Sequence, residues 1–107
     1  MTQNELNKII ENHQHYLNKD IDGWETMKAD LSYKNLSGLD LSNANLRNAD
    51  LRNANLYKAN LINADLAYTD LRNANLRDAN LRNADLSCAN LRKADLAYTD
   101  LRNANLR

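Results

Sequence analysis

The chain has 107 residues, 14 Lys/Arg against 14 Asp/Glu, two glycines, no proline, no phenylalanine and one cysteine. One domain of this length with zero formal charge carries no strong field for nucleic acid or a membrane surface. No apolar run approaches the ~20 residues of a spanning helix, the polar start is no signal peptide, and a lone Cys88 excludes an internal disulfide framework. A soluble cytoplasmic protein is expected.

Thr2-Gln3-Asn4-Glu5 has the form of a capping box. Leu6, Ile9, Ile10, His13 and Leu17 follow at helical spacing, so residues 3–17 read as an amphipathic helix. Asn18-Lys19-Asp20 ends it, and Asp22-Gly23 marks a turn. Trp24 and Met27 come just before a long repetitive stretch. Residues 1–25 are therefore expected to form a helix and turn that cap the array over 26–107, with Leu6, Ile9, Ile10, Leu17 and Trp24 as the covering side chains. The two parts differ in charge: 1–25 sum to −3, and 26–107 to +3 from 12 Lys/Arg and 9 Asp.

From Leu31 to Leu106 leucine occupies every fifth position, 16 times without a miss. Asp or Asn precedes every one of them, and Ala lies two before the leucine in 12 of the 16 units, Lys34, Leu39, Thr69 and Thr99 being the exceptions. A period of five fits neither a helix, a heptad nor a continuous strand, because each would scatter the leucines over several faces. The backbone must turn once per unit with Leu and Ala inside, and the side chains find burial only by stacking on copies of themselves.

Asn or Gly lies two after Leu at many corners, suiting the positive φ of a type II turn. Tyr33, Lys58, Tyr68, Asp78, Cys88, Lys93 and Tyr98 do not suit it, and these corners are expected to depart from type II. Asn43, Asn63, Asn83 and Asn103 fall on one edge and suit an amide ladder. Residues 64–77 and 94–107 are identical over 14 positions, a repeat duplication that places Thr69 and Thr99 inward, where each hydroxyl needs a backbone partner. Lys34 and Leu39 suggest a looser first coil facing the cap.

The tandem A-[DN]-L-x-x array resembles the pentapeptide-repeat proteins. The resemblance implies a mainly β fold: a right-handed quadrilateral β-helix with four pentapeptides per coil, here about four coils. Residues 20 apart would then share a face, and the rod would be roughly 19 Å long at the usual strand spacing. The fold alone is a poor guide to function, since members serve unrelated purposes.

Catalytic constellations are absent from the sequence. His13 and His15, two apart on a helix, make no metal pair, and His13 reads as a boundary side chain. Cys88 has no nearby His and reads as a solvent-facing thiol. No enzyme activity, cofactor or metal is expected. The surface positions carry the remaining information. Arg52, Arg72 and Arg92 form one column, continued by Lys93, and Asp30, Asp50 and Asp70 line its other side. With Tyr57 and Ile62, the least polar of the outward residues, the three arginines are the expected contact set for a protein partner. Leu101, Leu106 and Arg107 mark the last coil, where an uncovered edge suits a homodimer, the alternative being that the chain is a piece of a longer array. A small rigid interaction module is the leading expectation. The rival, taken from the resemblance, is a DNA mimic that inhibits DNA gyrase. It asks for an acidic rod, whereas this array is +3, and the rod matches only about six base pairs. Nucleic acid is not expected to bind either, since Asp residues interrupt every basic stripe and the tyrosines sit at separate corners.

Overall fold

The computed structural model describes residues 1–107. Helix α1 runs from Gln3 to Asn18, and a single 3-10 turn follows at Trp24–Thr26. The capping box is formed in full: the Glu5 N–H donates to Thr2 Oγ1 at 3.1 Å and the Thr2 N–H to Glu5 Oε1 at 3.0 Å. Lys19 closes the helix in the left-handed region, its N–H donating to the His15 carbonyl.

Everything after Ala29 is a solenoid. Each Asp or Asn before a leucine makes a parallel bridge with the residue 20 positions on, from Asp30↔Asp50 to Asp85↔Asn105, in four separate columns. Four columns mean four sides per coil, one pentapeptide to a side. The extended pieces are too short to form continuous strands, so the sheet character of each side consists of single bridged residues between turns. Coils are stitched by repeated backbone bonds. The leucine N–H donates one coil ahead (Leu51 to the Asp70 carbonyl, 2.8 Å), and the bridge residue donates one coil back (Asp70 to the Ala49 carbonyl, 3.1 Å).

The corners are uniform, against the mixture expected. At all 15 corners the residue two after Leu has positive φ, and the next N–H returns to the leucine carbonyl. The residue before it has negative φ, which is the type II pattern. Tyr33, Lys58, Tyr68, Asp78, Cys88, Lys93 and Tyr98 adopt it at φ between 57° and 62°. Coil-to-coil bonding favours it at five of the seven, where the corner N–H of Tyr33, Lys58, Tyr68, Asp78 and Cys88 donates to the next coil at 2.9–3.1 Å. Lys93 and Tyr98 make no such bond and keep the same φ with the turn bonds to the Leu91 and Leu96 carbonyls alone. A left-handed non-glycine residue costs about 1–2 kcal/mol, and an unmade buried backbone bond costs about as much or more. The first coil is no looser than the others in this bonding, with Leu36 N–H to the Asn55 carbonyl at 2.7 Å.

The invariant Asp or Asn has a second task. Its Oδ1 accepts the backbone N–H of the residue two ahead in every one of the 16 units, from Ser32 on Asp30 to Arg107 on Asn105, an Asx turn that sets the approach to each corner. Asp and Asn serve equally because only a carbonyl-type oxygen is needed. The expected amide ladder at Asn43, Asn63, Asn83 and Asn103 is not formed. The one amide bond between coils joins Asn75 to Asn55 at 3.4 Å, in a bridge column instead.

Inside the solenoid, Leu31 to Leu86 and the alanines from Ala29 to Ala84 make one continuous cluster. Thr69 takes an alanine place and stays buried because its hydroxyl donates to the Leu66 carbonyl at 2.7 Å. Thr99 reaches the Leu76 carbonyl at the same distance. No buried side-chain polar atom lacks a partner.

Helix α1 lies on the first coil. Leu6 is fully buried in the leucine–alanine cluster, and Ile9, Ile10 and Met1 pack against it. Gln3 bridges to Asp40, its amide donating to the Asp40 carbonyl and its oxygen accepting the Asp40 N–H, each at 2.8 Å. Gln14 donates to the Asn45 carbonyl at 3.0 Å. Leu17 and Trp24 lie outside the cluster. Trp24 instead stands against Tyr16, rings 6.1 Å apart, with the Lys19 ammonium 5.3 Å from its centroid.

His13 is not a boundary residue. It is fully buried, accepting the Ala29 N–H at Nδ1 (2.9 Å) and meeting the Arg47 carbonyl through Nε2 (2.7 Å). A ring that accepts at Nδ1 carries its proton on Nε2, so the neutral imidazole donates to Arg47. Burial pushes its pKa below the ordinary value.

Candidate interaction face

On the side that carries Arg52, Arg72 and Arg92, the bridge residues are Asp30, Asp50, Asp70 and Asn90. Because these guanidiniums are spaced by one coil each, they project from the same side in register. Where the bridge residue is Asp, its carboxylate not only forms the Asx bond but also takes the arginine two ahead in a fork. Arg52 donates to Asp50 through Nε (2.9 Å) and Nη2 (2.6 Å). Arg72 does the same to Asp70 at 2.8 and 2.6 Å. The forked guanidinium holds each of these carboxyls below the usual carboxylate range. In the same pairing on another side, the fork from Arg102 holds the Asp100 carboxyl down at about 2. Arg52 and Arg72 are exposed, so water screens these forks and they fix side-chain direction more than they add stability.

Where the bridge residue is Asn, the arginine is released. Arg47 and Arg77 then reach forward to Asp65 (3.3 Å) and Asp95 (3.5 Å) in the next coil. Each also covers a tyrosine there, Arg47 over Tyr68 at 5.5 Å and Arg77 over Tyr98 at 5.6 Å. Arg92 follows Asn90 and pairs with no carboxylate, and Lys93 beside it pairs with none. Between Arg72 and Arg92 the surface forms a recess of about 200 Å³ lined by Arg72, Asn73, Arg92 and Lys93.

The expected contact set is therefore only partly brought together. Arg52, Arg72 and Arg92 share one side. Tyr57 stands one side further round, 37% exposed, with the Lys58 ammonium 5.3 Å from its ring. Ile62 is one side beyond that and half-buried. Asn73 and the recess were not singled out by the sequence. The signal for them is the change from Asp to Asn at residue 90, which strips Arg92 of its fork. At the last coil, Leu101 is half-buried, Leu106 is 54% exposed and Arg107 is exposed. Cys88 is a free, exposed thiol at a corner, and no group of three His, Cys, Asp or Glu is placed to hold a metal. A second recess, about 320 Å³, lies between α1 and residues 26–30, beside Ile9 and Asn12.

The family profile described as pentapeptide repeats matches eight copies, over residues 28–56, 35–73, 59–97 and 74–107. The chain is a pentapeptide repeat protein. Pentapeptide repeat proteins are right-handed β-helices, in keeping with the bridges 20 residues apart. Similar solved structures include a pentapeptide repeat protein of the Arabidopsis thaliana thylakoid lumen, 32% identical, with a TM-score of 0.45 over 74% of this chain and 62% of that one. HetL, a pentapeptide repeat protein involved in heterocyst differentiation regulation in the cyanobacterium Nostoc, is 42% identical, with a TM-score of 0.44 over 71% of this chain and 38% of HetL. Rfr23, from the cyanobacterium Cyanothece, is 36% identical, with a TM-score of 0.36 over 75% and 55%. This pentapeptide repeat chain thus spans less than two thirds of each of these three. No curated protein matches it. No helix is long and apolar enough to cross a membrane.

Proposed function

We propose that this chain is a non-enzymatic interaction module: a right-handed quadrilateral β-helix (residues 26–107), covered at one end by residues 1–25, that presents rigid polar sides to a protein partner. The observation that carries the reading is the arginine column, in which Arg52, Arg72 and Arg92 are set in register by the bridges at residues 50, 70 and 90, with the first two held by forks. Preset guanidiniums lose less side-chain freedom on contact, and arginine is favoured where charged groups are recognised directly. A solid leucine–alanine interior leaves the outward positions as the working surface. We place the module in the cytoplasm. The rival duplex mimic needs a continuous acidic side, and the Arg52–Arg92 side is basic.

The test is retention of copurifying proteins from the native cell by the unaltered chain and by a variant with Arg52, Arg72 and Arg92 all changed to alanine. A partner lost only from the variant supports the reading; an identical set of retained proteins sinks it. Tyr57 and Ile62, on other sides, extend the surface as a separate contact, to be scanned in the same way. We further propose self-association through the last coil at Leu101, Leu106 and Arg107. In light scattering, the unaltered chain is expected at twice the mass of the Leu106→Asp variant, and equal masses remove this part.

A further inference from the structure

We propose that the recess between Arg72 and Arg92 is a binding site for a phosphate monoester. The proposal deepens the reading of this side as the contact surface and rests on it. The charge argument comes first. The cations Arg72, Arg92 and Lys93 surround the recess, and Asp70 is the one carboxylate engaged with them, leaving a formal charge of +2. A phosphate monoester carries about −1.5 to −2 at neutral pH, which a carboxylate or a phosphodiester does not match.

Donor geometry points the same way. Arg72 spends one Nε and one Nη2 hydrogen on Asp70, and of its five donors three remain. Asp70 thereby fixes Arg72 without consuming it. Arg92 uses none of its guanidinium donors within the chain, Lys93 has its ammonium free, and the Asn73 amide makes no side-chain bond. Planar guanidinium forks and an ammonium are the groups that meet phosphate oxygens. At about 200 Å³ the recess is smaller than sites for drug-sized ligands, so it suits one compact anionic group. A phosphodiester carries one charge per group and matches the +2 recess less well than a terminal monoester does.

One substitution closes the site while keeping the fold. Asn90→Asp retains the oxygen that accepts the Arg92 N–H and adds a carboxylate in the position that Asp50 and Asp70 use to fork their arginines. Asn80→Asp makes the same change in net charge on another side and serves as the control. The experiment is a titration of the full chain with inorganic phosphate at neutral pH, followed by amide NMR shifts and checked for unchanged folding by circular dichroism. The expected result is saturable shifts at Asn73, Arg92 and Lys93. Binding should weaken at least tenfold in Asn90→Asp and in Arg92→Gln, and stay unchanged in Asn80→Asp. Acetate should bind at least tenfold more weakly than phosphate. The proposal falls if the shifts do not saturate, if Asn80→Asp weakens binding as much as Asn90→Asp, or if acetate competes equally. A phosphoserine peptide that binds more tightly than inorganic phosphate, while its unphosphorylated form does not bind, assigns the phosphate to a protein partner; equal affinity assigns it to a small free phosphate. If phosphate fails to bind while a partner is still lost from the variant with Arg52, Arg72 and Arg92 changed to alanine, the interaction reading stands and only the phosphate assignment is lost.

Discussion

His13 links two stretches of the first coil that lie 18 residues apart in sequence, Ala29 and Arg47. Its protonation would place a proton on Nδ1, facing the Ala29 N–H, donor against donor. The sign of the pH effect follows. Its folded pKa is depressed below 6.5, chiefly by burial, so the unfolded chain binds the extra proton first. The docking contribution is full above pH 6.5 and is lost as pH falls from there through the lowered folded value. Tyr16 stacks on His13 at 5.4 Å and meets Trp24, so the sole tryptophan reports on the joint. Trp24 fluorescence is expected to change as pH falls below 6.5. In His13→Phe that change should disappear, at a stability cost of about 1–3 kcal/mol for each orphaned backbone group. The carboxylates forked by arginine titrate lower still, below 3.8, so their loss is a separate acid step.

Corner residues offer a second test at this scale. A Cβ at Gly38 would meet nothing within 4 Å, yet its φ is +70°. Gly38→Ala is expected to cost about 1 kcal/mol through backbone strain alone. The reverse edit, Lys58→Asn, replaces a residue held at φ 57° by one that tolerates it, and thermal unfolding should move up by a similar free energy, about 1 kcal/mol.

Among the elements, the solenoid was legible because its signal is redundant. Sixteen leucines in one register require a chain that turns once per unit, four units per coil is what the family resemblance implies, and the helix is marked by its capping box. The corners misled because single-residue preference is worth about 1 kcal/mol, less than the bonds that lock each coil to the next. The Asx bond is not legible for a different reason: Asp and Asn read as outward polar residues, and nothing in their spacing reveals that the oxygen turns back onto its own chain. His13 looked like a stripe residue at an edge, since sequence cannot show which backbone groups will lie opposite a helix. The recess depends on Asn90 standing in the column of Asp50 and Asp70, a relation between residues 20 apart that no single unit shows. At this scale the joint between α1 and the first coil is open to test. Leu6→Asp would bury a carboxylate among leucines, and the expected result is undocking of α1. Hydrogen exchange should then quicken at Ala29 and Asp40, whose N–H groups bond to His13 and Gln3, while amides from Leu66 to Ala84 keep their protection. Fast exchange throughout would show that α1 and the coils unfold as one unit.

For the whole molecule, sides and coils are separable descriptions of the same chain. Its extents are 41 × 29 × 22 Å, and every coil repeats the bonding of its neighbour. Stability in such an array is close to a sum of nearest-neighbour terms, while the pattern on the outside depends on which residues fall 20 apart. The 14-residue duplication illustrates the point: copies offset by 30 residues lie one and a half coils apart, on opposite sides.

That spacing makes sequence length behave like an angle. Adding one pentapeptide keeps every kind of bond in the solenoid but advances all later residues by a quarter turn. Ala-Asn-Leu-Ser-Asn inserted after Asn83 should leave the melting temperature nearly unchanged, yet carry Arg92 and Lys93 away from Arg72 and abolish phosphate binding. Four such insertions would bring Arg92 back to the Arg72 side, one coil further along. In this chain a change of length acts as a rotation, so its surface can be rephased without redesigning its core.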